Sequence, residues 1–194
     1  MTDLDLMQDI KTRFGTAIAA ACAVSSVPPA FVAALIANES SGNENAKRFE
    51  RSVLAALWEV LLGRAAAYGS IKRLDLVAYV MGVTLPTVNA PANLPANAFQ
   101  RVDALATSWG LTQIMGYHAI EFDLTIDSLI SPGEGLNVAT HMLAKFAAQF
   151  QLDVTKDFEA MLRCWNGGHP TAQTFDPNYV PKGLARMALW TTLT

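Results

Sequence analysis

Apolar residues in this chain recur mainly at the spacing of an α-helix. Over residues 4–24, Leu6, Ile10, Phe14, Ala17 and Ile18 fall on one face, the rhythm of a helix with one buried side. Ser25-Ser26-Val27-Pro28-Pro29 interrupts it. A serine cap followed by proline in the first turn marks the start of a new helix. Ala30–Asn38 is apolar on every side until its end, and a helix with no polar face is a buried helix. Glu39 closes that segment, and Ser40-Ser41-Gly42-Asn43 reads as a loop. Residues 52–68 are expected to be helical, with Leu54, Leu57, Trp58, Leu61 and Leu62 in phase. The same pattern predicts helices over 98–107, 135–150, 157–164 and 181–191. Residues 83–97 carry three prolines and several Asn, and read as a long irregular connection. Ser108–Gly116 is turn-rich and 165–170 is a Gly-rich loop. Strand-like alternation is scarce. The expectation is a mainly α fold with little or no β structure. No repeat, low-complexity tract or linker divides residues 1–194, so a single domain is expected.

Composition narrows the class. With 194 residues, 52% hydrophobic and 16% charged, the chain is long and apolar enough to bury a core. The net charge of −3, with no run of Lys or Arg, argues against nucleic acid as a partner, which calls for a basic face. Cys22 and Cys164 stand far apart and the three His are scattered. That is no zinc spacing, and neither metal nor cofactor is expected. The two cysteines read as buried thiols. The apolar run Ala17–Ala37 contains Ser25, Ser26, Pro28 and Pro29, so two short buried helices fit better than a membrane span. The N-terminus is acidic and lacks a signal-peptide layout. The chain is therefore expected to be made in the cytoplasm, without stable membrane insertion, and to be a monomer.

Glu39 is the residue with the most chemistry to offer. Burial raises a carboxyl pKa by penalising the charged form, and the negative end of a helix dipole pushes the same way. A carboxyl group protonated near neutral pH is what glycoside cleavage asks of its general acid. The plain alternative is a solvent-facing Glu at a helix end.

Four stretches add to this. They are Ile36-Ala37-Asn38-Glu39-Ser40-Ser41-Gly42-Asn43, Ser108-Trp109-Gly110-Leu111-Thr112-Gln113-Ile114-Met115-Gly116, Cys164-Trp165-Asn166-Gly167-Gly168 and Tyr179-Val180. In this order they resemble the Glu-Ser, Gly-Leu-Met-Gln, Tyr-Asn-Gly and Tyr-Val motifs of soluble lytic transglycosylases. Arg48-Phe49-Glu50, soon after Glu39, makes the chain still more similar to phage-type N-acetylmuramidases, the wall-degrading endolysins of the lysozyme-like superfamily. The resemblance covers about residues 27–189. It implies a lysozyme-like domain with a substrate groove, acting on peptidoglycan glycan strands at the MurNAc-GlcNAc β-1,4 bond. It also implies bacteriolysis as the setting. Without a signal of its own, such an enzyme would reach the periplasmic wall as an endolysin passing a holin, as a secreted effector or aboard a virion. No wall-binding module is expected.

By the same resemblance Glu39 is the general acid and Glu50 a second carboxylate. Ser40 would orient Glu39 or bind sugar, and Gln113 would bond an acetamido group. Trp165 and Asn166 would line the groove, with Met115 and Tyr117 as further substrate contacts. Tyr179 would approach Glu39 and help hold its proton. Each has a plainer reading. Ser40 would bond its own helix end, Gln113 would satisfy loop backbone, Trp109 would be core, and Tyr179 would be a surface tyrosine. The chain departs from the family at Trp165, where Tyr is usual, at Thr112, where Met is usual, and at Arg48, where an apolar residue is common.

Two reactions stay open. A hydrolase needs a base or nucleophile to bring in water, and Glu50, Asp103, Glu121 and Asp123 are the carboxylates on offer. A lytic transglycosylase needs only Glu39 and the sugar's own hydroxyl, and leaves 1,6-anhydro-MurNAc ends. Two other classes compete. One is a Cys/His hydrolase using Cys164 with His169, His118 or His141, which requires a thiol within reach of an imidazole. The other is a non-catalytic wall-sugar-binding domain on the same scaffold.

Overall fold

The computed structural model describes residues 1–83 and 96–193. It is mainly helical, 62% helix and 7% strand. Contacts divide it into two compact units, each with its own core. The first comprises residues 1–46, 110–112 and 130–194; the second comprises 47–109 and 113–129.

The first unit is built around an apolar helix. α1 (Asp3–Ala23) opens with a capping box between Thr2 and Asp5 and buries Leu6, Met7, Ile10, Phe14, Ile18, Ala21 and Cys22. α2 (Pro29–Glu39) has proline in its first turn and buries every residue from Phe31 to Ala37. Such a helix is stable only when surrounded. α2 packs against α1 and against α10 (Tyr179–Thr192), while α8 (Pro132–Phe150) packs on α1. α9 (Phe158–Gly167) packs on α8 and α10 and ends at Gly168, whose φ of 76° is left-handed. Leu111 joins the same core.

The second unit combines short helices with small sheets. β1 (Lys47–Phe49), β4 (Thr107–Trp109) and β5 (Ile114–Met115) form a three-stranded antiparallel sheet in the order β1-β4-β5. β2 (Ala67–Tyr68) and β3 (Ile71–Lys72) form a hairpin. α3 (Arg51–Leu61), α4 (Arg73–Met81) and α5 (Ala98–Leu105) close around Leu57, Val60, Leu61, Leu76, Val77, Val80, Val102 and Leu105. The short α6 (His118–Glu121) and α7 (Ile126–Ile130) follow.

Several predicted boundaries move. The helix expected over 52–68 stops at Leu61, because Gly63 takes a left-handed φ of 76° and Arg73 Nε caps the Leu61 carbonyl at 3.0 Å. The chain then turns into the β2–β3 hairpin. The helix expected over 98–107 ends at Leu105, because Thr107 pairs with Phe49 in the sheet. The turn-rich stretch 108–116 is the β4–β5 hairpin, with Gly110 (φ 73°) and Gln113 (φ 55°) left-handed at its turn. α9 runs through Trp165 and Asn166, which the pattern places in a loop. Of the irregular connection expected over 83–97, residues 84–95 lie outside the described residues.

Gly116 marks a backbone crossing. A Cβ there would lie 2.1 Å from the Ala104 carbonyl oxygen and 2.9 Å from Leu105 Cα. Both neighbours are backbone and cannot swing aside. Gly116→Ala is therefore expected to destabilise the protein by roughly 1–3 kcal/mol or more, as overpacking does. Urea denaturation measures it; an unchanged midpoint would contradict the crossing.

Candidate active site

The site is assembled where α2 runs out of apolar residues. Asn38, Glu39 and Ser40 are half-buried at its end. The chain leaves the helix through Ser41 (φ 52°) and Gly42 (φ 76°), both left-handed. Arg13 of α1 ties this exit down by donating from Nη1 to the Gly42 carbonyl at 3.1 Å. Ser40 Oγ donates to the Ile36 carbonyl at 3.2 Å, so its hydroxyl serves the helix end.

Tyr179, the first residue of α10, is 7% exposed. Its hydroxyl donates to Glu39 Oε1 across 140 residues of sequence. Asn38 Nδ2 donates to the Tyr179 carbonyl at 2.9 Å. Tyrosine is thus held by two neighbouring residues of α2, at its backbone and at its tip. Burial pushes the Tyr179 phenol well above its ordinary pKa, and the Glu39 charge and the hydrogen bond to it act in the same direction. The group therefore remains a donor through the physiological range. Its partner Glu39 is half-buried, and a buried hydroxyl without an acceptor would itself be costly.

The remaining candidates of the first unit sit on α9. Trp165 is half-buried against the core, and Asn166 is exposed. Thr112, where the family has Met, is 2% exposed.

The second unit carries the other candidates. Glu50 stands at the N-cap position of α3 without a side-chain capping bond, its N–H donates to the Ala106 carbonyl at 2.9 Å, and its carboxylate pairs with Arg48 Nε at 2.6 Å. Ser108 Oγ lies 3.2 Å from the Arg48 carbonyl and 2.9 Å from Gln113 Oε1. Glu50, Arg48, Ser108 and Gln113 therefore share one sheet and its edge. Met115 is half-buried in β5. Trp109 Nε1 donates to the Ala104 carbonyl at 2.9 Å, a structural anchor. Tyr117 stands edge-on to Tyr68 at 5.3 Å and packs against the second core. Burial pushes its phenol up to about 12. Among the other carboxylates, Glu121 pairs with His118 Nδ1 at 2.7 Å, and Asp123 is exposed. Asp123 also borders a cavity of about 450 Å³ lined by Asp75, Tyr79 and Arg101 among others.

The thiols do not fit a nucleophile. Cys22 and Cys164 are both unpaired and buried. Burial raises the Cys22 thiol to about 11 and raises Cys164 as well, whereas a reactive cysteine needs a lowered pKa. His169 Nδ1 is engaged by the Thr171 hydroxyl at 2.9 Å. Among the described residues no group of His, Cys, Asp and Glu is placed to hold a metal ion, and no helix is long and apolar enough to cross a membrane. No protein-family model, curated protein or solved structure matches the chain.

Two outcomes follow from these environments. Tyr179 keeps its proton in the folded protein above the ordinary phenol value of about 10. Its stabilising contribution is full below that pH and is lost as pH rises beyond it. Urea midpoints should therefore fall between pH 9 and pH 11, and fall less steeply in Tyr179→Phe; equal slopes would show an unprotected phenol. Iodoacetamide should leave both cysteines of the native protein unmodified by mass spectrometry. Rapid labelling of Cys164 with loss of function would revive the Cys/His reading.

Proposed function

We propose that this protein is a peptidoglycan-degrading glycosidase with a lysozyme-like domain, and that Glu39 is its general acid. The observation that carries the reading is the buried Tyr179 hydroxyl donating to Glu39 Oε1. With Oε1 serving as acceptor, Oε2 is the oxygen that carries the acid proton to the glycosidic oxygen. When that proton leaves, Glu39 becomes a carboxylate facing a donor already in place. A hydrogen bond that strengthens as charge develops favours the transition state over the ground state. The phenol does not compete as an acid, because its burial keeps its own proton on.

The substrate class, the β-1,4 bond between MurNAc and GlcNAc, rests on the ordered motifs around Glu39, Gln113, Trp165 and Tyr179. Ser40, Gln113, Trp165, Asn166, Met115 and Tyr117 are assigned to substrate by that resemblance alone. Glu50 is the proposed second carboxylate of a hydrolase. One feature favours the transglycosylase instead: the Glu50 carboxylate is already paired with Arg48 at 2.6 Å, and a transglycosylase needs no second carboxylate. In that case Glu39, once deprotonated, takes the proton of the sugar's C6 hydroxyl as that oxygen closes on the anomeric carbon.

Digestion of purified peptidoglycan, with muropeptides analysed by mass spectrometry, separates these readings. Wild type should release fragments and Glu39→Gln almost none, a loss of about 10²-fold or more for removal of a general acid. Reducing MurNAc ends, together with loss in Glu50→Gln, identify the hydrolase. Anhydro ends, lighter by one water, with activity retained in Glu50→Gln, identify the transglycosylase. Equal cleavage by wild type and Glu39→Gln would remove Glu39 from the mechanism. Binding without cleavage would point to a sugar-binding domain.

A further inference from the structure

Asn38 lies in the Glu39 stretch without an assigned role and Arg186 lies outside all four motifs, yet they form a continuous polar chain behind Tyr179. Asn38 uses both ends of its amide: Nδ2 donates to the Tyr179 carbonyl at 2.9 Å, and Oδ1 accepts from Arg186 Nη1 at 2.8 Å. The two partners fix the amide's orientation, because a carbonyl only accepts and a guanidinium only donates. Arg186 lies two turns beyond Tyr179 on α10, and its side chain is 13% exposed. Its Nε and Nη2 both donate to Asp3 Oδ1, at 3.0 and 2.8 Å, in the first turn of α1. One guanidinium thus bonds side chains from α1 and α2 while standing on α10.

The packing is shaped to let this happen. Gly183 lies between Tyr179 and Arg186 on the same face of α10. A Cβ there would come within 3.2 Å of Asn38 Nδ2 and 2.7 Å of Leu162 Cδ1. The missing side chain gives the Asn38 amide room beside the first turn of α10. A small polar cavity of about 200 Å³ opens over the chain, its lining including Asn38, Tyr179, Lys182 and Arg186. The consequence for the site is geometric. Asn38 and Glu39 are consecutive, so the residue that holds the Tyr179 backbone and the residue that accepts its hydroxyl move together.

We propose that Arg186 and Asn38 are positioning residues, which lock the start of α10 onto the end of α2 and so aim the Tyr179 hydroxyl at Glu39. The inference rests on the glycosidase reading of Glu39. Arg186 acts through Asn38, and Asn38 through Tyr179; neither touches substrate. A misplacement of about 1 Å in such an arrangement is enough to cost up to ~10²-fold in rate.

The test uses Asn38→Asp, Arg186→Lys and Arg186→Ala in the full chain, each alone and combined with Tyr179→Phe. Asn38→Asp keeps a partner for Arg186 but cannot donate to the Tyr179 carbonyl, so it keeps the question answerable where Arg186→Ala fails to fold. On soluble glycan strands each single variant should lose kcat by about tenfold or more, with KM within about twofold. Little further loss should appear in the Tyr179→Phe background, because the contact they serve is already gone. Full additivity with Tyr179→Phe, or a loss confined to KM, would overturn the proposal. A second readout needs no activity: the 13C resonance of the Tyr179 ring carbon bearing oxygen, assigned by its disappearance in Tyr179→Phe. It should shift in all three variants, and an unmoved resonance overturns the positioning itself. If wild type releases nothing from peptidoglycan, the glycosidase reading falls and the catalytic part of this proposal with it.

Discussion

The first unit depends on the burial of α2. From Phe31 to Ala37 every side chain is within about 1% of full burial, so this helix has no face to offer water. Each large apolar side chain hidden this way contributes on the order of 1.5–3 kcal/mol, and that contribution exists only while α1 and α10 stay in place around it. A helix so enclosed has one location where polarity is tolerated, its end. Asn38, Glu39 and Ser40 stand there, half in and half out of the core. The same constraint that builds the core places a carboxylate at its margin.

A carboxylate at that margin needs partners, and the structure supplies a donor of unusual persistence. Tyr179 is buried, so its hydroxyl must be satisfied within the protein. Glu39 accepts from it, Asn38 holds its carbonyl, and Arg186 with Asp3 extends the chain to α1. The groups form a connected set whose members each use the hydrogen-bonding capacity of the next. Networks of this kind fix side-chain geometry more strongly than isolated contacts do. For the proposed acid Glu39, it means that the surroundings of its carboxyl group are set before any substrate arrives.

The second unit follows another logic. Its three-stranded sheet is too short to be stable alone. Close backbone approach at Gly116 and the side-chain bonds of Ser108 and Trp109 hold it. Glu50, Gln113 and Met115 sit on or beside that sheet, so their positions depend on pairing between β1 and β4, segments some sixty residues apart, as in the Ser108–Arg48 bond.

Much of this was legible from local pattern. The amphipathic faces of α1 and α8 and the all-apolar run of α2 declare themselves by period alone. α4 did not, because Leu74, Leu76, Val77 and Val80 satisfy helical and alternating spacing at once. The stop of α3 at Gly63 was masked by the alanines that follow. Strands of two or three residues carry no period, so β4 and β5 appeared only as turns. At the site, the local pattern marked Glu39 at the end of an apolar helix, while Tyr179, Gln113 and Glu50 were singled out only by the resemblance of their motifs. Neither reading gave a role to Asn38, which directly precedes Glu39, or to Arg186, which shares a helical face with Tyr179. By itself, then, the sequence determined the long helices with a clear apolar face or an all-apolar run, and which residue types stand at their ends, because propensity and periodicity act over a few neighbouring residues. Only the tertiary structure decided that a tyrosine 140 residues away donates to Glu39. That partnership is set by the register of α10 on α2, where Gly183 gives the Asn38 amide room, and no local pattern encodes a register between distant helices.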